Sequence, residues 1–202
     1  MTHALVVGGG IAGAATALAL GKAGVTSTVY EAYPSGGDDV GAFLMVMHNG
    51  MGVPGQQEGV PGPDELASRF TDDTPRRVLL AKQDEVLATA IHRLPDPLPR
   101  WHNSRLVLVG DAAHLSATSA AQGASIALED SVILAMCVRD IPDLEQAFAR
   151  YQQIRAPRVR RLAEMVAKPV RTQEEATDNA KPEVRGWLYE HEIHWEEAIT
   201  LA

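Results

Sequence analysis

Three glycines near the amino terminus constrain this chain more than any other feature. Gly8, Gly10 and Gly13 follow an apolar run, residues 4–7, and open an alanine- and leucine-rich segment, residues 11–22. GxGxxG spacing between an apolar run and such a segment predicts a buried strand, a tight turn and a helix. We expect Gly8 to permit the turn, Gly10 to let a bound group approach the backbone, and Gly13 to let the helix lie close to the strand.

An acidic residue ends the next predicted strand. That strand covers residues 26–30, and Glu31 follows it directly. The free N–H groups at the start of the preceding helix can bind a pyrophosphate, and a carboxylate at Glu31 can accept hydrogen bonds from ribose hydroxyls. With no arginine beside it, the acid argues against a 2′-phosphate, so the unit predicts a site for FAD or NAD. The alternative, an ordinary glycine-rich turn with a solvated Glu31, is disfavoured by the full strand–turn–helix–strand context.

A second segment ends in a glycine–aspartate pair. Residues 105–109 are the clearest further buried strand, and Gly110 and Asp111 follow it. The Asp111 carboxylate can accept hydrogen bonds from polyol hydroxyls. We therefore expect this strand end to face a cofactor.

A helix follows the glycine–aspartate pair after a loop of small residues, 112–121. This helix, predicted over residues 122–139, is apolar almost all round, so we expect it to be buried. N–H groups near Gly123 and Ala124, at its start, can stabilise negative charge. The second segment thus predicts two further cofactor contacts.

Together these motifs closely resemble the class A flavin-dependent monooxygenases, the p-hydroxybenzoate hydroxylase-like family of aromatic and polyketide hydroxylases. The resemblance covers most of residues 1–55 and 64–202, and includes YQQIRAPRVRRL at residues 151–162. It implies an α/β fold: a Rossmann-like FAD-binding domain with a parallel sheet, flanking helices and a helical carboxyl-terminal part. It also implies NAD(P)H- and O2-dependent hydroxylation of an aromatic or polyketide-like small molecule, with the flavin and no catalytic side chain performing the chemistry. The FAD-binding residues it implies are Gly8, Gly10, Ile11, Ala12, Gly13, Glu31, Gly110, Asp111, Gly123 and Ala124.

The chain lacks the middle of the family's sequence. After Met51 the family continues through a cofactor-contacting helix, an Asp–Gly motif and a large substrate-covering sheet, whereas this chain has GVPGQQEGVPGP at residues 52–63. Such a stretch predicts a linker or a long surface loop. We therefore expect one FAD-binding domain without the substrate sheet, in two halves, 1–51 and 64–171, followed by an acidic helical tail, 172–202.

The absent sheet leaves alternatives open. Flavin hydroxylation needs a dry pocket that holds the substrate over the ring, so a second copy of the chain or a partner chain would have to complete it. The alternatives are a shortened FAD-binding module or a non-redox isomerase or cyclase without hydroxylase activity. An NAD-dependent dehydrogenase is disfavoured by the Gly110–Asp111 segment, which a simple Rossmann dehydrogenase does not need.

The remaining segments predict short elements and aromatic anchors. We expect Trp187, Tyr189 and Trp195 in the tail to pack on the domain. His114 is expected to hydrogen-bond near the cofactor without a catalytic role. Further helices are expected over 64–70, 76–82, 143–155 and 157–167, with a buried segment over 40–48 and a strand over 86–91.

Net charge and cysteine content limit the binding partners and the cellular compartment that we expect for this protein. A net charge of −8 over 202 residues does not suit nucleic acid or anionic membranes. The single cysteine, Cys137, lies in an apolar run, so we expect an inert buried thiol in a reducing compartment. No signal peptide, membrane-spanning run or metal-ligand spacing is evident, and the sequence predicts a cytoplasmic protein with no metal.

Overall fold

The computed structural model describes residues 2–34, 94, 98–115, 122–167 and 186–201. All of them belong to one compact unit. Within these ranges, no helix combines the length and apolar character needed to cross a membrane. The predictions for residues 40–48, 52–63, 64–70, 76–82, 86–91, 116–121 and 172–185 lie outside the described residues.

The amino-terminal segment forms the predicted strand–helix–strand unit. Its elements are β1 (His3–Val7), α1 (Ile11–Lys22) and β2 (Thr26–Tyr30). The strands pair in parallel, with His3 opposite Thr26 and Val7 opposite Tyr30. The Gly8 N–H extends the ladder by donating to the Tyr30 carbonyl at 2.8 Å. The predicted order of strand, helix and strand is confirmed, with one residue added at the start of β1. The predicted burial of β1 is wrong: among its apolar residues Val6 is buried, but Leu5 and Val7 are exposed, because among the described residues β1 pairs with β2 alone.

Three further helices have their bounds within the described residues. They are α2 (Asp111–His114), α3 (Gly123–Asp140) and α4 (Leu144–Ala167). Both α1 and α4 pack against α3, which is buried as its apolar sequence predicts. The α/β character of the fold is therefore as expected, although the predicted loop over 112–121 begins with the helical turn α2.

The main apolar core surrounds the carboxyl-terminal half of α3. Trp101 packs there against His114 and Tyr151, with ring centroids 5.4 and 5.9 Å apart. Cys137 is fully buried in this core, and burial raises the pKa of its thiol to about 12. The predicted burial of the thiol is confirmed. The core side chains are Trp101, Ala113, Ile133, Leu134, Met136, Cys137, Ile141, Ala147, Phe148 and Tyr151.

The predicted sheet strand over residues 105–109 is wrong. Among the described residues, the sheet contains β1 and β2 alone, and Val107 instead makes an isolated antiparallel bridge to His102. The Asn103 side-chain oxygen accepts two backbone N–H groups at the start of the segment, each at 2.8 Å. This turn pairs the segment with the residues just before it. The apolar pattern of the sequence is the same whether the segment pairs there or with β1, so the pattern alone does not predict the partner.

The two helices predicted over 143–155 and 157–167 are one helix, α4. Pro157 lies inside it, although proline lacks the N–H for the helical hydrogen bond. Arg155 and Arg158, on either side of the proline, both bind buried carboxylates of α3. These tertiary contacts hold the chain helical through the proline, which local propensity alone predicts as a boundary.

The described part of the tail is anchored by its aromatic residues. Residues 186–188 are helical and residues 189–201 are not. The Trp195 ring lies 4.4 Å from Lys22 Nζ and 4.8 Å from the Arg139 guanidinium carbon. Trp187 and Tyr189 pack on a smaller core cluster. The expectation of aromatic anchors is confirmed.

Candidate cofactor site

The glycine turn has the backbone geometry that its spacing predicts. Gly8 has a φ of 100°, a conformation that strains other residues. A β-carbon on Gly13 would lie 3.0 Å from the Gly8 carbonyl carbon and 3.3 Å from Val6 Cγ1, so glycine is needed for α1 to pack this closely. A β-carbon on Gly10 would have no atom within 4 Å. The backbone at Gly10 is thus open to an approaching group.

Glu31 lies beside this turn and is already an acceptor of backbone hydrogen bonds. Its carboxylate accepts the N–H of Tyr33 at 2.9 Å and of Gly9 at 2.5 Å. These two bonds, that of Tyr33 first, hold the pKa of Glu31 below its ordinary value. The exposed carboxylate is therefore ionised at neutral pH and can offer its remaining lone pairs to ribose hydroxyls.

Gly110 lies where the two sequence motifs meet. Its φ is 56°, and a β-carbon there would lie 2.8 Å from Ala12 Cβ and 3.4 Å from Ala127 Cβ. Ala12 belongs to the first turn of α1, and Ala127 belongs to α3. The glycine–aspartate turn therefore packs between these two helices, and the absence of a side chain permits the contact.

Buried hydroxyl groups join α1 to α3 beside this point. Ser131 Oγ lies 2.8 Å from the Ala127 carbonyl oxygen and 3.2 Å from that of Ala12. It also lies 3.0 Å from Thr16 Oγ1, and both hydroxyl side chains are buried. The two motifs, far apart in the sequence, are therefore adjacent in the fold.

The amino termini of α1 and α3 are suited to anions. Gly10 and Gln122 stand at their N-cap positions; neither N-cap residue makes a side-chain capping hydrogen bond, and no acid lies in the first turn of either helix. Uncapped N–H groups and the helix dipole favour negative charge. Ile11, Ala12, Gly13, Gly123 and Ala124 contribute N–H groups to these termini.

One buried carboxylate holds the short helix α2. Asp130 Oδ2 accepts the Gly110 N–H at 3.0 Å and lies 2.5 Å from His114 Nε2. Asp130 Oδ1 accepts Nε–H of Arg155 at 2.7 Å. Burial alone would raise the pKa of Asp130, but the Arg155 charge and the His114 hydrogen bond lower it. An ionised, fully buried carboxylate thus lies directly beneath the glycine–aspartate turn.

The neighbouring acid, Glu129, extends the charged cluster away from the turn. Its Oε2 lies 2.7 Å from Arg155 Nη1 and 2.6 Å from Arg158 Nε. Arg158 in turn donates to the backbone carbonyls of Trp187 and Leu188 in the tail. Glu129 and Asp130 both bind Arg155. Glu129 is linked through Arg158 to the tail, whereas Asp130 contacts the glycine–aspartate turn.

Sequence patterning predicted the residues of the two turns and missed the buried side chains that hold them. It did not single out Gly9, Asp130 or Arg155. Two adjacent acids inside an otherwise apolar helix are a signal that could have found Asp130, since buried acids need cationic partners. His114 has the hydrogen-bonded role expected for it. The contacts of all ten predicted residues with a cofactor stay predictions.

A family model described as "FAD binding domain" matches residues 66–166. This range contains Gly110, Asp111, Gly123 and Ala124 and begins after the glycine turn.

Several curated proteins are similar over part of the chain. 6-Hydroxynicotinate 3-monooxygenase of Pseudomonas fluorescens is 48% identical over 65 residues, 31% of this chain and 17% of that protein. Aurachin C monooxygenase/isomerase of Stigmatella aurantiaca is 37% identical over 106 residues, 50% of this chain and 27% of that protein. 3-Hydroxybenzoate 6-hydroxylase 1 of Aquipseudomonas alcaligenes is 34% identical over 131 residues, 64% of this chain and 33% of that protein. The chain thus spans a third or less of the length of these relatives.

The fold and the site define an α/β protein of the FAD-binding class. The family model matches half of the chain, and the chain belongs to the FAD binding domain family. Its curated relatives are named as monooxygenases and hydroxylases, which confirms the resemblance to class A flavin-dependent enzymes. The residues present fit FAD, because the backbone at Gly10 is open, two helix termini are uncapped, and Glu31 is an ionised acceptor.

Proposed function

We propose that this chain is an FAD-binding oxidoreductase that carries out NAD(P)H- and O2-dependent hydroxylation of an aromatic or polyketide-like small molecule. The observation that carries the proposal is the packing of Gly110 between α1 and α3. It brings the turn that carries Asp111 against the first turn of α1 and against α3, and a long dinucleotide needs contacts from several such elements. The chain spans a third or less of the length of its relatives, so its activity and substrate class are proposed by analogy with the activities in the relatives' names.

Each part of the site has a separate role in this proposal. The bound FAD supplies the redox chemistry, and the chain binds and orients it. The N–H groups at the start of α1 hold the pyrophosphate, and Glu31 holds the adenosine ribose. Asp111 accepts hydrogen bonds from the ribityl chain, and the α3 terminus lies against the flavin pyrimidine. The proposed contacts are Gly8, Gly10, Ile11, Ala12, Gly13, Glu31, Gly110, Asp111, Gly123 and Ala124.

Exclusion of water from the reacting centre needs further protein surface. A hydroxylase must keep the substrate and the reduced cofactor dry, and the family's substrate-covering sheet has no counterpart in this sequence. A second copy of the chain or a partner chain is therefore part of the proposal. The protein is proposed to act in the cytoplasm.

The alternative is a shortened FAD-binding module or a non-redox isomerase or cyclase. Two observations favour it: the short span relative to the curated proteins, and a relative named as both a monooxygenase and an isomerase. In this alternative the same residues bind FAD, but no hydride donor reduces it.

Absorption spectroscopy of the purified chain tests the two proposals. After incubation with FAD and gel filtration, we expect a retained flavin band that bleaches under anaerobic NADPH or NADH and recovers with O2. Asp111→Ala should retain less flavin, whereas Glu145→Ala, which removes an exposed carboxylate at the start of α4, should retain as much as the wild type. A retained band that neither nucleotide bleaches would favour the binding module. No retained flavin would contradict both.

A further inference from the structure

A single carboxylate oxygen contacts both ends of α2. Gly110 is the N-cap of this helix, and His114 is its last residue. Asp130 Oδ2 lies 3.0 Å from the Gly110 nitrogen and 2.5 Å from His114 Nε2. An ionised carboxylate only accepts hydrogen bonds, so both groups donate to it.

The helix that these bonds hold is too short to be stable alone. It has four residues, and the first turn of a helix fixes several backbone dihedrals for one hydrogen bond. Asp111, the proposed ribityl contact, is exposed and is its first residue. Its position therefore depends on what fixes the turn beneath it.

Asp130 itself is held from the opposite side. Arg155 Nε lies 2.7 Å from Oδ1, and both side chains are fully buried. The arginine provides the charge that a buried carboxylate needs and leaves Oδ2 directed at α2. Helix α4 thereby determines where the acceptor for α2 lies.

We infer that Asp130 is a positioning residue for FAD binding: it clamps α2 at Gly110 and His114 and so fixes Asp111 for its contact with the cofactor. The cofactor part of this inference rests on the proposed role of Asp111. The clamp itself is a property of the chain and can be tested without flavin.

Glu129 provides a matched control for Asp130. It is the adjacent residue of α3, is equally buried, and also binds Arg155. Among the described residues, its side-chain contacts lead to Arg155, Arg158 and the tail and not to α2. Asp130→Asn and Glu129→Gln therefore each remove one buried negative charge from the same cluster, but only the first weakens the clamp.

Hydrogen exchange of the full-length chain without flavin tests the clamp. The amides of Ala113 and His114 donate to the Gly110 carbonyl at 2.9 and 3.0 Å, so they report on the closed turn. In Asp130→Asn we expect their protection to fall by about tenfold or more relative to amides in the middle of α3. In Glu129→Gln we expect α2 and α3 amides to change in parallel. A parallel change in both variants would overturn the inference.

FAD affinity tests the second half of the inference. Titration followed by flavin fluorescence should give a Kd about tenfold higher for Asp130→Asn and within about threefold of the wild type for Glu129→Gln. Equal affinities of the wild type and Asp130→Asn, with α2 loosened, would refute the positioning role. If the wild type binds no FAD, the proposed function fails while the exchange result still decides the clamp.

A second variant keeps the test decisive if Asp130→Asn does not fold. His114→Phe retains a ring against Trp101, whose centroid is 5.4 Å away, and removes the Nε2 donor. We expect lower protection of the α2 amides alone, with α3 unchanged. Unchanged α2 protection in this folded variant would contradict the clamp.

Discussion

The two turns that form the candidate site are held in different ways. The Gly8–Gly13 turn is fixed by neighbours close in sequence and by Glu31, whose bonds to Gly9 and Tyr33 are exposed. The turn at Gly110 is fixed by buried charges from α3 and α4, chiefly Asp130 and its partner Arg155. The first turn thus depends on local backbone geometry, and the second depends on a long-range electrostatic network.

This difference predicts different sensitivities. A turn fixed by close backbone packing should be destabilised when a side chain is added at its glycines, because the close contacts leave no room for further atoms. A turn fixed by a buried ion cluster should fail when a charge is removed, because the remaining charge is then buried without compensation. Both turns are proposed to contact FAD, so each change should also lower FAD affinity.

Arg155→Met should have the largest effect on stability. It removes the cation that both Glu129 and Asp130 bind, and breaking a buried ion pair costs about 3–5 kcal/mol. We expect the free energy of unfolding in urea at neutral pH to fall by that amount. Arg150→Met, on the same helix, is the control: it is outside the Asp130 cluster and should cost less. Equal losses of unfolding free energy in the two variants would show that the ion cluster around Arg155 makes no specific contribution to stability.

The pH dependence of the Arg155→Met effect follows from Asp130. Its folded-state pKa lies below its ordinary value, mainly because the Arg155 charge and the His114 hydrogen bond outweigh burial. Its stabilising contribution is therefore complete above the unfolded pKa of about 3.9 and is lost as pH falls through the folded pKa. We expect the stability difference between wild type and variant to shrink below about pH 4. A difference that stays constant well below pH 4 would contradict this assignment.

Gly13→Ala should have the next largest effect. Its β-carbon would meet the Gly8 carbonyl group, and overpacking of this kind costs about 1–3 kcal/mol. We expect a lower melting temperature and weaker FAD binding. Gly21→Ala is the control on the same helix, since a β-carbon there would have no atom within 4 Å. That variant should melt at the same temperature or higher, because alanine favours helix.

The same comparison explains what the sequence could and could not predict. The bounds of α1 and β2 follow from periodicity and glycine spacing within one short segment, and the prediction was correct to the residue. The strand at 105–109 and the break at Pro157 were wrong because Asn103 and the buried arginines impose contacts that local propensity does not contain. Asp130 was missed because its partner lies 25 residues away in the sequence, on another helix.

Ser131→Ala tests the junction between the two turns with a smaller effect. Ser131 Oγ lies within hydrogen-bonding distance of the Ala12 carbonyl in α1 and of Thr16 Oγ1. Removing this hydroxyl group should lower the free energy of unfolding by about 1 kcal/mol, because the Thr16 hydroxyl loses a hydrogen-bond partner. The double variant with Thr16→Val should then cost less than the sum of the two single changes. Strict additivity would show that the two hydroxyl groups are not coupled.

Glu31→Gln should have the smallest effect on stability and a selective effect on FAD. The carboxylate is exposed, so its bonds to Gly9 and Tyr33 compete with water, and the melting temperature should change little. An amide retains one acceptor oxygen but loses the charge and the second oxygen that ribose hydroxyls would use. We expect the Kd for FAD to rise by about tenfold. Glu145→Gln, which alters an exposed carboxylate paired with Arg100, should leave that Kd unchanged. Equal affinities for both variants and the wild type would show that Glu31 does not contact FAD. The proposed cofactor site would then rest on the Gly110 turn.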